Sequence, residues 1–165
     1  MMGTRRVFII CALAFAATSA GCGFQLRGES SFAFSTLFAG FDAKSSLGNE
    51  LKRTIASGSS TRIVTAAEGA QAVMDVLADT REKVVLGTTS AGQTREFQLR
   101  LRLRFKLRTP GGKELLPDTD LLLTRDVSFN ESAVLAKEGE EQLLYRTMQS
   151  DMVAQVMRRL AAAKL

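Results

Sequence analysis

A run of basic side chains at every second position is the first place where this sequence could do chemistry. Arg100, Arg102, Arg104, Lys106 and Arg108 alternate with Leu99, Leu101, Leu103, Phe105 and Leu107. On a strand, that period of two puts the five cations on one face, successive ones about 6.6–6.8 Å apart. Guanidinium groups grip phosphate in a two-pronged fashion, so the stripe suits an anion. The same pattern is also that of a plain solvated face, and the sequence leaves both readings open. A hairpin folded about Gly111-Gly112 would bring Asp118 and Asp120 near Lys106 and Arg104. Arg100 and Arg102, opposite Leu122 and Thr124 in that register, are then the better candidates for binding. The other reactive residue is Cys22, which stands directly behind Ser19-Ala20-Gly21.

What is missing narrows the chemistry further. The chain has no histidine, which excludes Ser-His-Asp and Cys-His catalysis and any His-ligated metal site. The carboxylates are scattered, and no EF-hand spacing, phosphate loop or H-E-x-x-H motif occurs. Carboxylate-pair chemistry stays open, but no spacing favours it. The expectation is a protein that is not an enzyme and that needs no cofactor or metal.

The N-terminus has the three parts of a secretory signal. Arg5 and Arg6 give the charge, Val7 to Ala17 the apolar run, and Thr18 to Gly21 the small residues. The apolar run falls short of the roughly 20 residues that span a bilayer. Small residues just before a cysteine resemble the lipobox of bacterial lipoproteins, although Ser19 stands where Leu is usual. That resemblance implies cleavage after Gly21 and acylation of Cys22, and two or three acyl chains anchor stably where one does not. Gly23 stands where Asp would resemble an inner-membrane retention mark, which leans the anchor toward the outer membrane. Residues 1–21 carry two of the 22 basic residues and none of the 17 acidic ones, leaving a net charge of +3. Cys11 leaves with them, so no disulfide can form within the mature chain.

The elements that must position these residues can be read from periodicity. Residues 22–31 read as a lipidated tether and 32–165 as a single domain, long enough to bury its own core. Phe32 to Phe41 suggests a strand. Ser45 or Ser46 caps a helix to about Ser57, with Leu47, Leu51 and Ile55 on one face. Thr61 to Ala66 is a short β-branched strand, and Ala70 to Thr89 is extended up to a turn at Ser90–Gln93. Phe97 to Arg108 is a half-buried strand with its odd-numbered residues inward. After Pro110-Gly111-Gly112 a further strand spans about Asp120 to Phe129. A last helix opens at Gly139-Glu140-Glu141 and carries the apolar stripe Leu144, Met148, Met152, Val156 and Leu160, widened by Val153 and Met157. The order predicts an α+β domain, with two helices packed on one face of a four- to five-stranded, mostly antiparallel sheet.

Three segments resemble one family. Cys22-Gly23-Phe24-Gln25-Leu26-Arg27 is similar to the G-C-G-(aromatic)-x-L-R opening of the LptE (RlpB) lipoproteins of lipopolysaccharide assembly. Gly92-Gln93-Thr94-Arg95-Glu96-Phe97-Gln98 resembles their G-Q-T-x-E-(Y/F)-Q turn, and Ala133 to Lys137 with Glu138 their A-L-A-K-(D/E) segment. The resemblance implies an outer-membrane, lipid-anchored protein that faces the periplasm or lies in a barrel lumen. It would partner and plug the LptD β-barrel and bind lipopolysaccharide on its way to the outer leaflet. Arg100, Arg102, Arg104, Lys106 and Lys137 are then the candidate lipopolysaccharide-binding residues, Lys137 being otherwise an ordinary solvated loop lysine. The alternative is an unrelated periplasmic lipoprotein that scaffolds or binds another polyanion. Nucleic acid is not an expected partner, because the charged face interleaves no aromatics for stacking and export separates the chain from it.

Overall fold

The computed structural model describes residues 31–128 and 134–165. The signal, Cys22, Phe129 and nearly all of the tether lie outside the described residues. The elements run β1 (Thr36–Ala39), α1 (Ser46–Gly58), β2 (Arg62–Val64), β3 (Ala72–Thr88), β4 (Thr94–Arg108), β5 (Glu114–Ser128) and α2 (Val134–Ala162). They form the expected α+β arrangement: one five-stranded sheet in the order β2-β1-β3-β4-β5, with two helices. The short β1 runs parallel to both β2 and β3, while β3, β4 and β5 form an antiparallel meander.

Local chemistry explains most boundaries. The Ser45 hydroxyl accepts the Gly48 N–H at 2.8 Å and caps α1, whose Leu47, Leu51 and Ile55 are buried. Gly48 is required there: a Cβ on it would meet the Phe41 side chain at 2.5 Å. The two hairpin turns use Gly92 (φ +79) and Gly112 (φ +90), a conformation only glycine adopts freely. β4 buries Leu99, Leu101, Leu103, Phe105 and Leu107, as its alternation predicts, and they meet Met148, Met152, Val156 and Leu160 of α2 in one core.

Besides small shifts at β2, β3 and β4, three boundaries differ from the sequence reading. β1 keeps only four of the ten residues expected, since β2 offers it just three partners. Phe34 and Phe41 are nevertheless buried, anchoring the chain outside the strand. β5 starts at Glu114, well before Asp120. Pro117 does not stop it, because it sits at an irregularity between Leu116 and Thr119 on an edge strand, where a missing N–H is tolerated. α2 starts at Val134, with Gly139 inside it. One interior glycine costs only about 1 kcal/mol, which a long packed helix absorbs.

β3 is a single 17-residue strand with two bulges, at Leu77 and Leu86. Each bulge leaves one residue unpaired and resets which side chains face inward. Both leucines are nearly half exposed. Beyond Val76, β3 has no strand neighbour except β4. There the buried Tyr145 of α2 covers its free edge, donating its hydroxyl to the Glu82 carbonyl at 2.6 Å.

Candidate functional site

β4 and its two neighbours build the outer face of the sheet, away from the helices. Opposite Arg100 stand Glu82 of β3 and Thr124 of β5, and opposite Arg102 stand Thr80 and Leu122. Arg104 lies across from Asp120, which is the register expected from the hairpin.

The ion pairs, however, run diagonally. Arg102 donates through Nε and Nη2 to Asp120, at 3.0 and 2.6 Å. Arg104 makes the same fork on Asp118, with Nε at 2.9 Å from Oδ1. Long side chains on a pleated sheet reach the diagonal neighbour, so each aspartate serves the arginine one pair away from the residue it was expected to face. Asp118 makes no ion pair with Lys106, which instead lies 3.9 Å from Asp75 of β3. Arg108 is bound to the same carboxylate at 2.7 Å. Arg102 is therefore ion-paired, although the hairpin register sets it opposite an uncharged residue.

Arg100 differs from the rest. Its Nε donates to the Gln98 side-chain oxygen at 2.7 Å, and the Gln98 amide donates in turn to Asp126 at 2.9 Å. It forms no ion pair among the described residues. A depression of about 170 Å³ adjoins it, lined by Thr80, Glu82, Arg100, Arg102, Asp120 and Leu122. Leu122 is 56% exposed there, an apolar side chain beside the paired charges.

The forks set the titration of this face. The Arg104 and Arg102 hydrogen bonds hold the Asp118 and Asp120 carboxyls below the usual carboxylate range, and both arginines are raised in return. All four side chains remain over 40% exposed. Pairs so wetted contribute little net stability and can exchange their carboxylate for another anion.

Lys137 is elsewhere. It lies on the first turns of α2, ion-paired with Glu140 at 2.7 Å. It borders a cleft of about 220 Å³ on the helix side of the sheet, with Lys83, Phe97, Leu99, Val127, Glu138 and Glu141. Lys83 bonds Glu141 at 2.6 Å and lies 4.2 Å over the Phe97 ring. The fold thus brings Arg100, Arg102, Arg104 and Lys106 together and keeps Lys137 on the opposite side. Sequence reasoning missed Lys83 and Glu141, because the bulges in β3 hide which of its residues face inward. Among the described residues no group of His, Cys, Asp or Glu could hold a metal, and no helix is long and apolar enough to cross a membrane.

Known proteins share this architecture. The solution structure of a lipoprotein B from Nitrosomonas europaea is 33% identical, with a TM-score of 0.72 over 85% of this chain and 91% of that one. A minor lipoprotein from Acinetobacter baumannii (20% identity, TM-score 0.64, 81% of this chain and 97% of that one) has the same fold. So does the rare lipoprotein B of Shewanella oneidensis (23% identity, TM-score 0.63, 77% and 94%). No curated protein gives a significant match. The family model of LptE, lipopolysaccharide-assembly, matches residues 31–160. With that match spanning nearly all of the described domain, the chain belongs to the LptE family of lipopolysaccharide-assembly lipoproteins.

Proposed function

We propose that this chain is a non-catalytic outer-membrane lipoprotein, anchored through acyl chains on Cys22, that partners and plugs the LptD β-barrel and binds lipopolysaccharide during its assembly into the outer leaflet. The observation that carries this reading is the family match over residues 31–160. The outer face of β4 supports it with a row of arginines that can hold phosphate in forked geometry. Of these, Arg100 is the first contact, since no carboxylate has to be displaced from it. Arg102, Arg104 and Lys106 join by exchanging aspartate for phosphate. Lys137 contributes from the other side of the sheet, to a separate part of the same ligand or to a second molecule.

Two measurements test this. The intact mass of membrane-extracted protein should exceed that of the Cys22–Leu165 peptide by a diacylglyceryl group and an N-acyl chain, and Cys22→Ser should abolish the excess. Arg100→Ala with Arg102→Ala should weaken lipopolysaccharide binding in a displacement assay while the melting curve stays in place. The loss should shrink as salt rises, because exposed charges are screened beyond about 8–10 Å. Undiminished binding by the folded double variant would overturn the role of the stripe, and failure of a β-barrel to co-purify with the acylated chain would overturn the partnership.

A further inference from the structure

One end of the domain collects cations that the fold leaves without carboxylate partners. The chain enters the described structure at Ser31 and reaches β1 at Thr36. The Arg62 N–H donates to the Ser35 carbonyl at 2.9 Å, and the Ser35 N–H donates to the Gln71 side chain at 2.7 Å. Chain entry, the start of β2 and the start of β3 therefore share one end. β4 runs into it, with Arg108 opposite Val73, so the Thr109–Lys113 turn lies there as well. α2 points the same way: Glu141 bonds Lys83 and Tyr145 bonds the Glu82 carbonyl, so the helix descends from the far end of β3. From Glu141 to Ala162 it travels about 32 Å, which matches the roughly 36 Å of strand from Lys83 back to Ala72.

Arg62, Lys113, Arg158, Arg159 and Lys164 are all exposed at this entry end. None forms an ion pair among the described residues. Of the carboxylates at this end, Asp75 is taken up by Arg108 and Lys106, and Glu114 stands opposite Arg108. At the far end both signs are mixed: Glu96, Asp126, Glu138, Glu140 and Glu141 stand among Lys83, Arg95, Arg125 and Lys137, and three of those cations, Lys83, Arg125 and Lys137, are already ion-paired.

We infer that the entry end is a basic cap that docks on an anionic phospholipid surface. This rests on the reading of Cys22 as acylated. The tether from Cys22 to Ser31 reaches at most about 30 Å when fully extended, whereas β4 alone is about 50 Å long. The far end cannot therefore be the one on the membrane, because chain entry would then stand beyond the reach of the anchor. Of the orientations left, the one that puts five unpaired cations within a Debye length of anionic headgroups is favoured, since each basic residue near such a surface is attracted to it.

The test uses the acylated full-length mature protein on phosphatidylcholine vesicles with or without phosphatidylglycerol. The Cys22 sulfur carries lipid, so Pro110→Cys at the entry end and Ala91→Cys at the far end each give one labelling site for a fluorophore. Quenching by a lipid-borne quencher should rise at least about twofold at position 110 when phosphatidylglycerol is present and return to baseline in about 1 M salt, where screening acts within ~3 Å. Position 91 should not respond. Lys113→Glu with Arg158→Glu and Lys164→Glu, all at exposed positions, should erase the response without shifting the melting curve. A chain that lacks the acyl mass and leaves both kinds of vesicle overturns the acylation reading, and this inference with it. An acylated, retained chain whose label at 110 ignores phosphatidylglycerol, or matches the label at 91, overturns the basic cap alone.

Discussion

Along β4, neighbouring residues have opposite tasks, and mutation should separate them. Leu101 is 5% exposed in the core shared with α2. Leu101→Asp buries a carboxylate with no partner and should cost more than about 3 kcal/mol. Arg102, one residue along, is forked onto Asp120 in a wet setting. Arg102→Ser should leave the urea midpoint almost unmoved; equal losses in the two variants would contradict the strand's inside-outside assignment. The aspartates supply a pH test. Asp118 and Asp120 titrate below their ordinary range because Arg104 and Arg102 bind the charged form. A carboxylate depressed in the folded state stabilises above its unfolded value of about 3.9, and that contribution is lost as the pH falls through the folded value. Asp118→Asn with Asp120→Asn should therefore lower the midpoint slightly at pH 7, and the variant and wild-type curves should converge as the pH drops below about 3.9. A gap that widens on acidification would reverse the sign of the argument.

Among the elements, α1 is the one where local propensity and packing disagree. Alanine is the better helix former by about 1 kcal/mol, so an isolated helix would gain from Gly48→Ala. In the folded chain the added methyl would run into the Cβ, Cγ and Cδ1 atoms of Phe41, which lie near the backbone and cannot swing away. We expect a net loss of about 1–3 kcal/mol, read from thermal unfolding, with helicity of the isolated α1 peptide moving the other way. The same distinction explains what was legible beforehand. Strict alternation placed β4, the Ser45 cap placed the start of α1, and the hairpin glycines placed both turns, because each signal is local. Partner-dependent features were hidden. β1 shrank to the length of β2, β5 outran Pro117, and the bulges at Leu77 and Leu86 decided which face Lys83 would join. The candidate site divides along the same line: the stripe was visible as a pattern, whereas its diagonal pairing with Asp118 and Asp120 depends on side chains crossing between strands.

At the scale of the whole molecule, charge and connectivity both run lengthwise. Apart from Arg100, the outer face of the meander holds its cations in pairs, while the entry end leaves Arg62, Lys113, Arg158, Arg159 and Lys164 open, so raised salt should affect vesicle attachment before it affects stability. Connectivity adds a different consequence, which concerns the order of assembly. β3, β4 and β5 are consecutive in sequence and joined by tight turns, whereas β1 pairs with β3 across 35 residues, Leu37 with Ala72. Closing a long loop costs entropy that a hairpin does not meet, so local pairings form first. Pulse-labelled hydrogen exchange during refolding should protect the Leu99–Phe105 amides ahead of those of Thr36–Ala39; simultaneous protection would argue for a single concerted step. In a chain exported N-terminus first, β1 would emerge earliest yet wait for β3 to find its place in the sheet. Until residues 72–74 followed it across the membrane, the apolar segment of Phe34, Leu37 and Phe41 would stand beside the bilayer without the strand that joins it to the meander.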